Sequence, residues 1–127
     1  METLSKYYNM AKALIVDDEI DICYLLSSIL RNKNVQSNYV NSISEAKQSL
    51  INNIPEIIFL DNHLPDGMGV DFISHIKRNY PTTKVVMLTA HDTNADRSKA
   101  ISEGADLFIG KPFSRDTINK TLDNLAG

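Results

Sequence analysis

Apolar residues along this 127-residue chain fall into two kinds of run. Short unbroken stretches occur at Leu14-Ile15-Val16, Ile57-Ile58-Phe59-Leu60, Val85-Val86-Met87-Leu88 and Leu107-Phe108-Ile109. Between them lie longer segments in which apolar residues recur every three or four positions, as at Ile22, Leu25, Leu26 and Ile29. Unbroken runs of this length suit strands buried on both faces, and the longer period suits helices with one apolar stripe. The pattern predicts five β–α units, with strands at 12–16, 36–40, 56–60, 84–88 and 107–109. The helices are expected at 20–30, 43–52, 70–78, 94–102 and 115–125. The second strand, Gln36–Val40, is the most polar and is therefore expected at a sheet edge. Ser42-Ile43-Ser44-Glu45 has the form of a capping box, Pro65-Asp66-Gly67 reads as a turn, and Ser114 is placed to cap the last helix.

Alternating units of this kind imply an α/β fold: a doubly wound parallel sheet with helices on both faces and right-handed crossovers. For five strands the common order is 2-1-3-4-5, with a ligand site where the order switches between strands 1 and 3. Each apolar run leads into polar residues at that end of the sheet. These are Asp17-Asp18, Asp61, Thr89 and, after Gly110, Lys111-Pro112.

The length fits one domain, and 43% hydrophobic with 23% charged residues is ordinary for a globular protein. A net charge of −3 provides no general attraction to nucleic acid or anionic membrane, and no basic recognition helix is present for DNA. No apolar run approaches the roughly 18 residues of a membrane span, and residues 1–10 lack a signal-peptide core. The single cysteine, Cys23, permits no internal disulfide, and its apolar helical setting suits a core residue better than a nucleophile. The expected location is the cytoplasm.

Asp17-Asp18 taken alone reads equally as a solvated turn capping the first helix or as half of a cation site. Adjacent carboxylates repel and stay ionised more readily with a cation between them. Mg²⁺ favours a few carboxylates, waters and phosphate oxygens. Asp61 has the chemistry of a nucleophile towards a phosphoryl donor, Thr89 of a hydroxyl partner for a phosphoryl oxygen, and Lys111 of a mobile point charge.

Together, Val16-Asp17-Asp18-Glu19, Leu60-Asp61-Asn62-His63-Leu64-Pro65-Asp66-Gly67-Met68-Gly69, Leu88-Thr89-Ala90 and Gly110-Lys111-Pro112-Phe113 resemble the receiver domain of two-component response regulators, of the chemotaxis-regulator kind. The resemblance spans about Ala11–Leu125 and implies a flavodoxin-like (βα)5 receiver domain over 11–127, preceded by a ten-residue extension. It implies that Asp61 accepts a phosphoryl group from a histidine kinase or a histidine phosphotransfer protein in a phosphorelay. Asp17, Asp18, Asp61 and the backbone carbonyl of His63 would hold Mg²⁺, with Mn²⁺ as a substitute. Thr89 and Lys111 would bind phosphoryl oxygens, Ala90 would leave them room, and a cis Lys111–Pro112 peptide would aim the lysine inward. Thr89 and Phe108 would act as a switch that remodels the surface of the fourth helix, fifth strand and fifth helix, where a downstream protein or tethered output domain is met. A phosphorylation-dependent homodimer is a further mode the resemblance admits. Such a domain is a signalling switch rather than an enzyme in the ordinary sense, although it catalyses its own phosphotransfer and dephosphorylation.

Some positions carry alternatives. His63 and His91 each lie two residues beyond a site residue, and read either as tuners of the phosphoryl lifetime or as exposed loop histidines. As a zinc site, two histidines fall short of a usual ligand set. His75 is expected at the surface. Phe108 reads also as a plain core residue. Two other functions compete with the switch: a phosphorylation-independent interaction module, which in such folds often lacks an acid, the threonine or the lysine, and a phosphohydrolase, which would want an acid where His63 stands.

Overall fold

A computed structural model describes residues 12–126. The expected extension at 1–10 lies outside the described residues. The chain forms β1 (Lys12–Val16), α1 (Ile20–Asn32), β2 (Gln36–Val40), α2 (Ile43–Asn52) and β3 (Ile57–Asp61). There follow β4 (His63–Leu64), β5 (Gly67–Met68), α3 (Gly69–Asn79), β6 (Lys84–Thr89), α4 (Asn94–Ser102), β7 (Leu107–Gly110) and α5 (Arg115–Ala126). The five longer strands make one parallel sheet in the order β2-β1-β3-β6-β7, the flavodoxin-like order expected, with the polar β2 at an edge.

Strand residues alternate between two cores, as the two-residue period of a pleated strand requires. Ala13, Ile15, Ile57, Phe59, Val86 and Leu88 pack with α1 and α5. Leu14, Val16, Ile58, Leu60, Val85 and Met87 pack beneath α2, α3 and α4. Burial on both faces explains why these strands read as unbroken apolar runs. No helix among the described residues is long and apolar enough to cross a membrane.

Four local features differ from the sequence reading. The third strand runs one residue further, so Asp61 is itself the last strand residue. Ser42 does cap α2 by accepting from the Glu45 N–H at 3.1 Å, but the Glu45 carboxylate accepts from Asn41 N–H at 2.8 Å rather than closing a box on Ser42. The free N–H groups of Ile43 and Ser44 are taken instead by the Asp66 carboxylate, at 2.8 and 2.9 Å. Those two bonds hold the Asp66 carboxyl below its ordinary range. Asp66 reaches α2 because the turn expected at Pro65-Asp66 joins two short strands, β4 and β5, in a small antiparallel hairpin that the hydrophobic pattern does not predict. His75 is half-buried rather than on the surface, stacked on Phe72 at 5.3 Å and 18°, and burial lowers its pKa.

Candidate functional site

The sheet register sets the site. Val16 pairs with Leu60, Asp61 with Leu88 and Thr89 with Gly110. Asp17, Asp61, Thr89 and Lys111 therefore emerge at one end of adjacent strands. Asp17 and Asp61 are buried, and so is Thr89, whose hydroxyl accepts the His91 N–H at 3.1 Å. Lys111 precedes Pro112 through a cis peptide, as expected, and its backbone N–H donates to the Thr89 carbonyl at 2.7 Å.

The Lys111 ammonium, 9% exposed, lies among the acids. It donates to Asp17 Oδ2 at 2.8 Å, Glu19 Oε1 at 3.0 Å and Asp61 Oδ1 at 3.2 Å. Burial pushes the Asp61 carboxyl up to about 6, helped by the charge of Asp17 and opposed by Lys111. Asp17 is raised for the same first reason, and the hydrogen bond from Lys111 works against it. Burial by itself would lower the lysine, but its bonds to Asp17 and Glu19 outweigh that and raise it. Taking both aspartates and the lysine out of water is costly, and the three hydrogen bonds repay part of that cost.

Asp17 also anchors the turn into α1. Its Oδ1 accepts the Glu19 N–H at 2.9 Å, so the turn-capping and cation readings of Asp17-Asp18 coexist. Carboxylate oxygens of Asp17, Asp18 and Glu19 all lie within 4.8 Å of one another. Glu19 was not among the candidate site residues from sequence. Its exposure and its place on a helix-leading turn hid it, although the Asp-Asp-Glu run was visible. Asp17, Asp18, Glu19 and Asp61, three of them bonded to the Lys111 ammonium, form a hard, oxygen-only, anionic donor set, which fits Mg²⁺ or Mn²⁺ by chemistry. His63 and His91 are exposed and meet each other at the rim, with ring centroids 4.8 Å apart. Ala90 is exposed beside Thr89.

Two further residues shape the crevice. A Cβ at Gly69 would fall inside the contact distance of the Asp61 carbonyl oxygen, so only glycine lets α3 start this close to the acceptor strand. Asn62 fixes that start by accepting the Val70 N–H on its side chain at 3.0 Å. Cys23 is buried, and burial with the nearby Asp17 charge pushes its thiol up to about 11, which removes it as a nucleophile. Phe108 is 8% exposed, with the Arg97 guanidinium 4.9 Å from its ring centre.

A family model described as the response regulator receiver domain matches residues 13–123. The chain is 36% identical over 101 residues to the response regulator protein PilR of Pseudomonas aeruginosa, covering 80% of this chain and 23% of PilR. It is 37% identical over 105 residues to the phosphate regulon transcriptional regulatory protein PhoB of Escherichia coli, covering 81% of this chain and 46% of PhoB. The chain thus spans from about a quarter to about half the length of these relatives. Among solved structures, the beryllofluoride-activated NtrC4 receiver domain dimer superposes with a TM-score of 0.87 at 35% identity, covering 91% of this chain and 96% of that one.

Proposed function

The chain belongs to the response regulator receiver domain family, whose members are phosphorylation-dependent signalling switches, and from that premise we propose that Asp61 is its phosphoryl acceptor. The observation that carries the assignment is the Lys111 ammonium held between Asp17, Glu19 and Asp61, with both aspartates buried. This places one cationic donor beside a carboxylate at a strand end, flanked by acids suited to a metal.

In the proposed transfer an Asp61 carboxylate oxygen attacks the phosphorus of a phosphohistidine. A P–O bond forms as the P–N bond breaks, and the departing imidazole nitrogen keeps the electron pair and takes up a proton. Asp17, Asp18, Asp61 and the His63 backbone carbonyl are the residues that would hold Mg²⁺ or Mn²⁺, with Glu19 beside them. The chemistry such an ion supplies there is neutralisation of charge on the phosphoryl oxygens. Lys111 exchanges its bond to the Asp61 carboxylate for one to a phosphoryl oxygen. Thr89 accepts the His91 N–H on its hydroxyl oxygen and donates the hydroxyl hydrogen to a second phosphoryl oxygen.

The withdrawal of Thr89 is the proposed trigger for Phe108 and for the surface of α4, β7 and α5. The phosphoryl group shifts that balance only by its differential contacts in the two states. The proposed donor is a histidine kinase or histidine phosphotransfer protein, and the proposed reader is a downstream protein, an output domain or a second copy of the chain.

Intact mass after incubation with Mg²⁺ and acetyl phosphate, beside Asp61→Ala, tests the reading. A metal-dependent gain of one phosphoryl group in wild type and none in the variant is expected. Equal gain in Asp61→Ala overturns the acceptor assignment. No gain, with no Mg²⁺-dependent binding of beryllofluoride, overturns the switch.

A further inference from the structure

We propose that His63 and His91 form a second cation site, made of imidazole nitrogen rather than carboxylate oxygen, which takes a divalent transition metal ion at the rim of the Asp61 crevice. The rings come from separate elements. His63 is in β4, paired with Met68 across the hairpin, and His91 follows β6 with its N–H bonded to the Thr89 hydroxyl at 3.1 Å. Both backbones are thus held while both side chains face water.

The ring separation falls within the range a chelate requires. An imidazole nitrogen sits about 2.0–2.1 Å from Zn²⁺, and the ring centre lies about 1.1 Å behind it. Two imidazoles on one ion at inter-ligand angles of about 90–110° therefore have centroids roughly 4.5–5.2 Å apart. The His63 and His91 centroids are 4.8 Å apart, and their planes are tilted by 47°, away from a parallel stack. Counting ligands along the sequence leaves two histidines short of a structural zinc site. The two rings instead suit a solvent-exposed surface chelate, in which water completes the coordination of an imidazole-binding ion.

Donor chemistry sorts the ions. Imidazole suits Zn²⁺, Cu²⁺ and Ni²⁺, whereas the carboxylates of Asp17, Asp18 and Glu19 suit Mg²⁺. Binding stands independently of phosphorylation. Its consequence rests on Asp61 being the acceptor: an ion held two residues beyond both Asp61 and Thr89 covers one approach of water and prolongs the phosphoryl state.

The test titrates Cu²⁺, read by nitrogen hyperfine structure in its EPR spectrum, and Zn²⁺, read by competition with a chromophoric chelator. Mg²⁺ is kept in large excess to saturate the acids. The chains are wild type, His63→Gln, His91→Gln and, as control, His75→Gln; the first substitution keeps the His63 backbone carbonyl. Wild type and His75→Gln are expected to bind one ion with two nitrogen ligands. Each rim variant is expected to bind at least about tenfold more weakly, through one nitrogen, because the chelate is lost. Undiminished binding in both rim variants, or no two-nitrogen signature in wild type, overturns the site. Phosphoryl decay is then followed with and without Zn²⁺. Slower decay with the ion, abolished in the rim variants, supports the regulatory consequence, and identical decay in wild type overturns it. Failure of phosphorylation would overturn the Asp61 reading while leaving the metal titration intact.

Discussion

Helices α3 and α4 follow one another along the chain and pack on the same face of the sheet, but they are fastened differently. α3 buries Gly69, Val70, Phe72, Ile73 and Ile76, whereas α4 buries Ala100 alone. Each large apolar side chain withdrawn from water contributes about 1.5–3 kcal/mol. α4 relies on polar ties instead: Thr93 accepts the Asp96 N–H at 3.1 Å, Arg97 meets Asp92 at 2.7 Å, and Lys99 meets Asp71 at 3.8 Å. Exposed ion pairs of this kind contribute roughly 0–1 kcal/mol each. The two helices flank the same crevice, since α3 starts against the Asp61 carbonyl and α4 follows Thr89. A change at Asp61 therefore meets a rigid wall on one side and a lightly held element on the other, and movement costs least at α4.

The largest expected effect breaks the comparison at its strong side. Ile73→Ala should cost about 2–5 kcal/mol by urea denaturation, through lost burial and the cavity left behind. A loss under about 1 kcal/mol would remove the distinction between the helices.

Asp61→Asn is expected to act in the opposite sense, and it tests how much unfavourable charge the crevice holds. The folded Asp61 carboxyl sits at about 6 against an ordinary 3.8, so the folded chain binds this proton more tightly than the unfolded chain does. Stability from this group is complete below about pH 4, falls as pH rises towards 6, and stays lost above that. In EDTA the variant should therefore gain roughly 1–3 kcal/mol at pH 7–8, and the gain should vanish near pH 4. Thermal melts across that range check it, and a pH-independent gain would refute the burial explanation.

Arg97→Ala removes a tie at the weak side, and its pair with Asp92 is half-exposed. The expected cost is at most about 1 kcal/mol. Amide exchange should quicken in α4 and stay unchanged in α3. Smallest of all, Ile101→Ala should fall within about 0.5 kcal/mol of wild type, because Ile101 is 48% exposed. A cost comparable to that of Ile73→Ala would show that α4 is packed after all.

What the sequence by itself determined is the sheet and most of the residues that line the crevice. The runs ending at Val16, Leu60, Leu88 and Ile109 are too short for helices and apolar on both faces, so strand positions, parallel pairing and the convergence of Asp17, Asp61, Thr89 and Lys111 followed from local pattern and crossover rules. Boundaries slipped where pattern is weak. β3 continues onto Asp61 because a strand ends where its ladder ends, not where its hydrophobicity ends. Tertiary structure alone decided contacts between segments far apart in the chain. Asp66 caps α2 only because a two-residue turn carries it there. Glu19 meets the Lys111 ammonium, 92 positions away, only in the folded chain. The separation of the His63 and His91 rings depends on how β4 and the segment after β6 approach one another. Such distances are set by loop geometry and packing, which no periodicity encodes, whereas burial on two faces leaves its mark in every residue of a strand.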